Sequence, residues 1–211
     1  MKVLGIVGSR RKNGNTAYLV QQALHAIESK EVETELIYLG DYNIRGCIGC
    51  EGCRHTYKCV IMDDMQKIYP LIMNSDAIVL GSPTYFYNIT SDMKAFIERL
   101  YCFQVFAEDD RSVWSSINEA LGGKYAVVIS ICEQNDEKDM GFTSEAMSKP
   151  LEGLGYRVIE TVKILKLFKK EDALKNQEAL DQVKRAGKKL EKTFRLRKET
   201  EEKFKLLNFR I

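Results

Sequence analysis

The chain has 211 residues, 45% hydrophobic and 29% charged, with a net charge of +2 and six cysteines. That is enough to bury one ordinary α/β domain. No run approaches the roughly 20 apolar residues of a membrane span, and the start is too polar for a secretion signal. The expectation is a cytoplasmic protein, where thiols serve metal or redox chemistry more often than structural disulfides.

The first apolar run, KVLGIV at 2–7, leads into GSRRKNGNT and an amphipathic segment at about 16–29. A helix that follows a first parallel strand offers free N–H groups and a positive dipole end to an anion. Ser9, Asn15 and Thr16 add polar donors, Arg10, Arg11 and Lys12 add charge, and Gly14 permits a tight turn. Neither G-x-G-x-x-G nor G-x-x-x-x-G-K-[ST] is present, which disfavours a pyrophosphate or a nucleoside triphosphate. A terminal monophosphate such as that of FMN suits the loop; an ordinary glycine turn with a solvated basic cluster is the alternative.

After the second run, ETELIYL at 33–39, four cysteines crowd into GCIGCEGCRHTYKC. Zinc sites usually join two C-x₂₋₄-C pairs a dozen or more residues apart. Here the spacing is C-x₂-C-x₂-C-x₅-C, and three thiolates at steps of three wrap one compact multi-metal object, as in bacterial ferredoxins. A single [4Fe–4S] cluster on Cys47, Cys50, Cys53 and Cys59 is the reading preferred. Gly46, Gly49 and Gly52 would free the backbone to curl round it. A dithiol or peroxide-sensing switch, zinc and idle thiols remain alternatives, and His55 is read as a surface residue.

A helical pattern at 63–74 precedes the third run, DAIVLGS at 76–82, and the loop PTYFYNITS. Pro83 stiffens the exit, and Tyr85, Phe86 and Tyr87 offer flat faces. Asn88 can bond the edge of a planar ring, and Ser91 is placed as the cap of a helix over 91–105. Three consecutive loop aromatics cannot all point inward, which favours a platform for a flat heterocycle. The fourth run, KYAVVIS at 124–130, ends in the polar loop 130–135, followed by a helix at 141–154 and the fifth run at 156–165.

Five apolar strands alternating with helices predict a doubly wound, three-layer α/β/α domain with a parallel sheet of order 2-1-3-4-5. In that order the crevice opens between the first and third strands. A long helix is expected over 171–205, with Leu180, Val183, Gly187, Leu190 and Phe194 on one stripe, either a last covering helix or an arm for another subunit. The organisation expected is a unit over 1–170, with the cysteine loop at 46–62, and a helical extension over 171–211. From Lys163 onward sixteen Lys or Arg face eight Asp or Glu, leaving residues 1–162 at −6. This basic end reads as a solvated helix face rather than a nucleic-acid surface.

GSRRKNGNT, CIGCEGCRHTYKCVIMDDM and GSPTYFYNITSDMKAFIERL together resemble the NADPH-dependent FMN reductase superfamily and, within it, the archaeal-type iron–sulfur flavoproteins. The resemblance spans about 1–165. It implies a flavodoxin-like fold, FMN and one [4Fe–4S] cluster. It also implies homodimers or homotetramers in which flavin and cluster of neighbouring subunits approach, and a role in electron transport. By that likeness the FMN phosphate falls on Ser9, Arg11, Asn15 and Thr16, and the ring near Pro83, Thr84, Tyr85, Phe86 and Asn88. The expected donor is a ferredoxin-like protein, and no side chain is assigned a catalytic role. An NAD(P)H-dependent FMN or quinone reductase without a functional cluster is the rival, and a thiol-based redox sensor the third reading.

Overall fold

The computed structural model describes residues 1–27 and 29–206. Glu28, at the end of the expected first helix, and 207–211, at the end of the expected extension, lie outside the described residues. Five parallel strands build the main sheet: β1 (Lys2–Val7), β2 (Glu33–Tyr38), β3 (Ala77–Pro83), β6 (Lys124–Ile131) and β7 (Tyr156–Ile164). Their spatial order is β2-β1-β3-β6-β7, the flavodoxin-like arrangement expected. Two short strands, β4 (Gln104–Phe106) and β5 (Trp114–Ser116), form a separate antiparallel hairpin.

The middle strands β1, β3 and β6 are almost wholly buried, because helices cover both faces. On one face lie α1 (Asn15–Ile27) and α7 (Gln177–Leu206), packed around Leu19, Val20, Val79, Val127 and Leu190. On the other lie α2 (Met65–Met73), α3 (Ser91–Arg99) and α5 (Glu145–Gly153), closing over Leu4, Ile78, Leu80, Phe96 and Met147. Between these, α4 (Ile117–Ala120) and α6 (Asp172–Lys175) are single turns. Helix α7 covers the chain's own sheet as far as Phe194, with Leu180, Val183 and Leu190 buried. Gly187 lets it approach α1 closely, since a Cβ there would stand 2.4 Å from the Ala23 carbonyl oxygen.

Three local expectations are corrected. The helix expected over 91–105 stops at Arg99. A 3₁₀ turn, Leu100–Phe103, then keeps Leu100, Cys102 and Phe103 buried before β4 begins. Burial thus preserves the apolar pattern while the backbone changes. The cap of α3 is Thr90 rather than Ser91: its Oγ1 accepts from the Met93 N–H at 3.2 Å and donates to the Gly8 carbonyl at 2.7 Å, tying α3 to the end of β1. The last long helix is broken at Asn176, whose Oδ1 caps the new start by accepting from the Ala179 N–H at 3.0 Å. Among the described residues no helix is long and apolar enough to cross a membrane.

Candidate functional site

Two loops from the carboxyl edge of the sheet meet where β1 and β3 lie side by side. A cavity of about 370 Å³ is lined there by Ser9, Arg11, Gly14, Asn15, Thr16, Pro83, Thr84, Tyr85 and Phe86, closed by Ile131, Glu133, Leu167 and Phe168. The first-turn N–H groups of α1 have no intrahelical partner and open onto it. The three basic residues of the loop are not equivalent. Arg10 forms a two-pronged pair with Asp92, at 2.7 and 2.8 Å, and Lys12 meets Asp41 at 2.7 Å. Among the described residues Arg11 has no carboxylate partner; it lies 5.9 Å from the Phe168 ring centre and donates to the Phe168 carbonyl at 3.3 Å. Its charge is therefore available to an anion. Asn15 differs again, because its amide donates to the Lys169 carbonyl at 2.8 Å and accepts from the Ala173 N–H at 3.0 Å. Its side chain fastens the segment after β7 across the pocket, and only its backbone faces a ligand.

The aromatic platform is a tight turn. Tyr85 N–H donates to the Asn88 carbonyl at 2.7 Å and Asn88 N–H returns to the Tyr85 carbonyl at 3.2 Å. Between them Phe86 and Tyr87 have φ of +49° and +66°, a left-handed conformation costing about 1–3 kcal/mol per non-glycine residue. That strain leaves Phe86 95% exposed and Tyr85 half-exposed, an apolar surface that the described residues leave largely uncovered. Asn88 does not line the cavity: its Oδ1 accepts from the Ile89 N–H at 2.9 Å. Beyond Phe86 a second recess of about 460 Å³ is lined by Tyr87, Cys132, Gln134 and Asp139.

The cysteine loop builds a different cavity, of about 480 Å³. Cys47, Cys50, Cys53 and Cys59 all line it, opposite Ile97, Tyr101, Gln104, Pro150 and Leu154. These opposing residues belong to the carboxyl halves of α3 and α5, the turns just beyond them and the first position of β4. Helices of a parallel α/β layer run against the strands, so the loop descends from the sheet's carboxyl edge along the helical face. The two cavities share no lining residue. Arg99, 1% exposed, anchors the loop from below. Its guanidinium donates to Asp63 Oδ2 at 2.6 Å, to the Arg45 and Ile61 carbonyls at 3.0 and 3.2 Å, and to Cys59 Sγ at 3.2 Å. Burial raises the Cys53 thiol above its ordinary pKa, and the neighbouring thiols push the same way.

All four thiols share one enclosure with an Arg–sulfur hydrogen bond, a donor set and volume that fit an iron–sulfur cluster. They are not drawn into a closed group: among the described residues no three His, Cys, Asp or Glu side chains stand in metal-holding geometry. Sequence reading missed Leu167 and Phe168, which the fifth strand delivers to the same carboxyl edge, and Arg99, whose helical spacing gave no sign of an inward charge.

The sheet order and the cavity at its switch point define a flavodoxin-like α/β protein with a nucleotide-sized crevice. The chain belongs to the NADPH-dependent FMN reductase family, whose model matches residues 1–138. It is 44% identical over 99 residues to an iron-sulfur flavoprotein of Methanocaldococcus jannaschii, covering 47% of this chain and 51% of that one. An iron-sulfur flavoprotein of Archaeoglobus fulgidus is 40% identical over 100 residues, covering 47% and 46%. The chain thus matches about half the length of these curated relatives. RosB, solved with bound 8-demethyl-8-formylriboflavin-5'-phosphate, superposes with a TM-score of 0.72 over 95% of this chain and 81% of its own, at 16% identity. That likeness speaks to the fold alone.

Proposed function

We propose that the chain is an electron-transfer flavoprotein carrying FMN and one [4Fe–4S] cluster, fed by a one-electron, ferredoxin-like donor and serving a separate acceptor. The observation that carries this reading is the pair of independently built cavities, one offering a helix N-terminus with an uncommitted Arg11 and a bare aromatic platform, the other lined by four thiols. A bound flavin supplies both one- and two-electron chemistry and a cluster supplies single-electron chemistry. Ser9, Arg11, Thr16 and the backbone of Asn15 hold the phosphate. Pro83, Thr84, Tyr85 and Phe86 hold the ring, with Asn88 shaping the turn that presents them. Cys47, Cys50, Cys53 and Cys59 hold the cluster. Separate cavities on one chain accord with a homodimer or homotetramer in which cluster and flavin of neighbouring subunits approach.

Anaerobic preparation tests the reading: about four irons with labile sulfide and one FMN per chain are expected. Cys50→Ala should lower iron to near zero while FMN affinity stays within about twofold, since no residue lines both cavities. Joint loss of flavin and iron would refute two separate sites. Arg11→Ala should weaken FMN binding about 10- to 100-fold, the worth of one charge-assisted hydrogen bond to phosphate. Titration of flavin fluorescence measures it, and equal affinity for riboflavin and FMN in the wild type would remove Arg11 from the phosphate.

The recess beyond Phe86 favours a second reading, an NAD(P)H-dependent FMN or quinone reductase, because it leaves room for a nicotinamide beside the platform. Rapid bleaching of the flavin by NADPH alone, unaltered in Cys50→Ala, would select it.

A further inference from the structure

The hairpin β4–β5 is unclaimed by the functional reading, and its tip reaches the cysteine loop. Arg111 Nη1 pairs with Glu51 Oε1 at 2.8 Å, its Nη2 donates to the Tyr101 hydroxyl, and its guanidinium lies 4.7 Å from the centre of the Phe106 ring. A second tie runs the other way, from Arg54 Nη2 to the Glu108 carbonyl at 3.5 Å. The two loop residues held, Glu51 and Arg54, flank Cys53 and stand within the turn that follows Cys50. Glu51 has φ of +54°, a conformation a glutamate does not hold without outside support. Beneath the clasp, Glu51, Cys53, Arg54, Tyr101, Gln104, Phe106 and Arg111 enclose a space of only about 10 Å³. Cys53 thus lines both this narrow space beside the hairpin and the main cavity.

We propose that the hairpin is a clasp on the cysteine loop, with Arg111 as its positioning residue, fixing the Cys50–Arg54 backbone and shielding Cys53 from reagents in solvent. Ion pairs at the surface contribute little alone. Here one guanidinium joins three partners from three elements, the cysteine loop, the 3₁₀ turn and β4, and it holds a strained turn rather than adding general stability. The cluster assignment enters only the consequence, that a loosened clasp would let iron escape sooner. The clasp itself can be tested on metal-free chain.

Full-length protein, stripped with a chelator and reduced, is labelled with N-ethylmaleimide, and each thiol is followed by peptide mass spectrometry. In Arg111→Ala the Cys53 rate should rise about five- to tenfold, the scale set by an exposed ion pair with a cation–π contact. Buried Cys102 and Cys132 should stay protected and unfolding should be little altered. Exchanging the charges, Arg111→Glu with Glu51→Arg, should return the Cys53 rate most of the way to wild type. A Cys53 rate within about twofold of wild type in Arg111→Ala overturns the clasp. So does a parallel rise at Cys102 and Cys132, which would mean general loosening, or an exchanged pair that labels as fast as Arg111→Ala.

Discussion

Replacing Arg99 with methionine is expected to cost about 3–5 kcal/mol of folding stability, far more than a surface ion pair would. The side chain is fully enclosed, and the Asp63 carboxylate it meets is nearly so, at 5% exposure. Without the guanidinium that carboxylate keeps two backbone donors, the N–H groups of Arg45 and Met65, each at 3.0 Å, and the more distant Arg45 guanidinium at 3.9 Å, but loses its nearest and only buried countercharge among the described residues. Two carbonyls, of Arg45 and Ile61, also lose a donor. Lysine should not rescue, because one ammonium cannot reach partners that a planar fork serves on three edges. Burial alone would raise the Asp63 pKa; the Arg99 hydrogen bond, helped by the two backbone donors, outweighs it and leaves the pKa lowered. A lowered folded pKa stabilises above the unfolded value of about 3.9, and that contribution disappears as pH falls through the folded one. Urea unfolding should therefore show the gap between wild type and Arg99→Met at its widest near neutral pH, narrowing below about pH 4. A gap under about 1 kcal/mol at neutral pH would show that solvent reaches the pair.

The frame of the protein was legible because it rests on local, periodic signals. Near-continuous apolar runs can only be strands covered twice, and their alternation with amphipathic segments orders the sheet. The loops after β1 and β3 then fall beside one another by topology, which is why Ser9, Arg11 and Thr16 were found together with Pro83 to Phe86. What the sequence did not disclose depends on long-range pairing. Asn15 reads as a phosphate donor until the segment 169–173 takes its amide. Arg99 reads as the solvent side of a helix until Asp63, 36 positions earlier, draws it inward. The hairpin was hidden because its strands have three residues each, too short for a two-residue period to register. The descent of the cysteine loop along α3 and α5 follows from packing, and no spacing between thiols encodes it.

The platform itself depends on a residue that motif reading passed over. Gly141→Ala is expected to weaken FMN binding at least about tenfold and to lower stability by about 1–3 kcal/mol. Gly141 has φ of +55° and ψ of −124°, a region that a side chain hardly allows. A Cβ would also stand 2.3 Å from the Tyr87 carbonyl oxygen, the acceptor for the Phe142 N–H at 2.9 Å. Something must move, and the candidates are unequal. The β6 end is buried, with Ser130 bonded to Ser144 at 2.9 Å, whereas the turn 85–88 is exposed and held by few hydrogen bonds. The weakly held element yields first, so Phe86 should leave its place before the domain unfolds, and ligand affinity should fall further than stability. Gly49→Ala separates strain from collision: its φ is +65°, yet nothing lies within 4 Å of the added methyl. It should cost about 1–2 kcal/mol through conformation alone and leave FMN affinity untouched. Titrating FMN against both variants, with urea unfolding alongside, decides the matter. If Gly141→Ala binds FMN as well as Gly49→Ala does, the aromatic turn is not the flavin's platform.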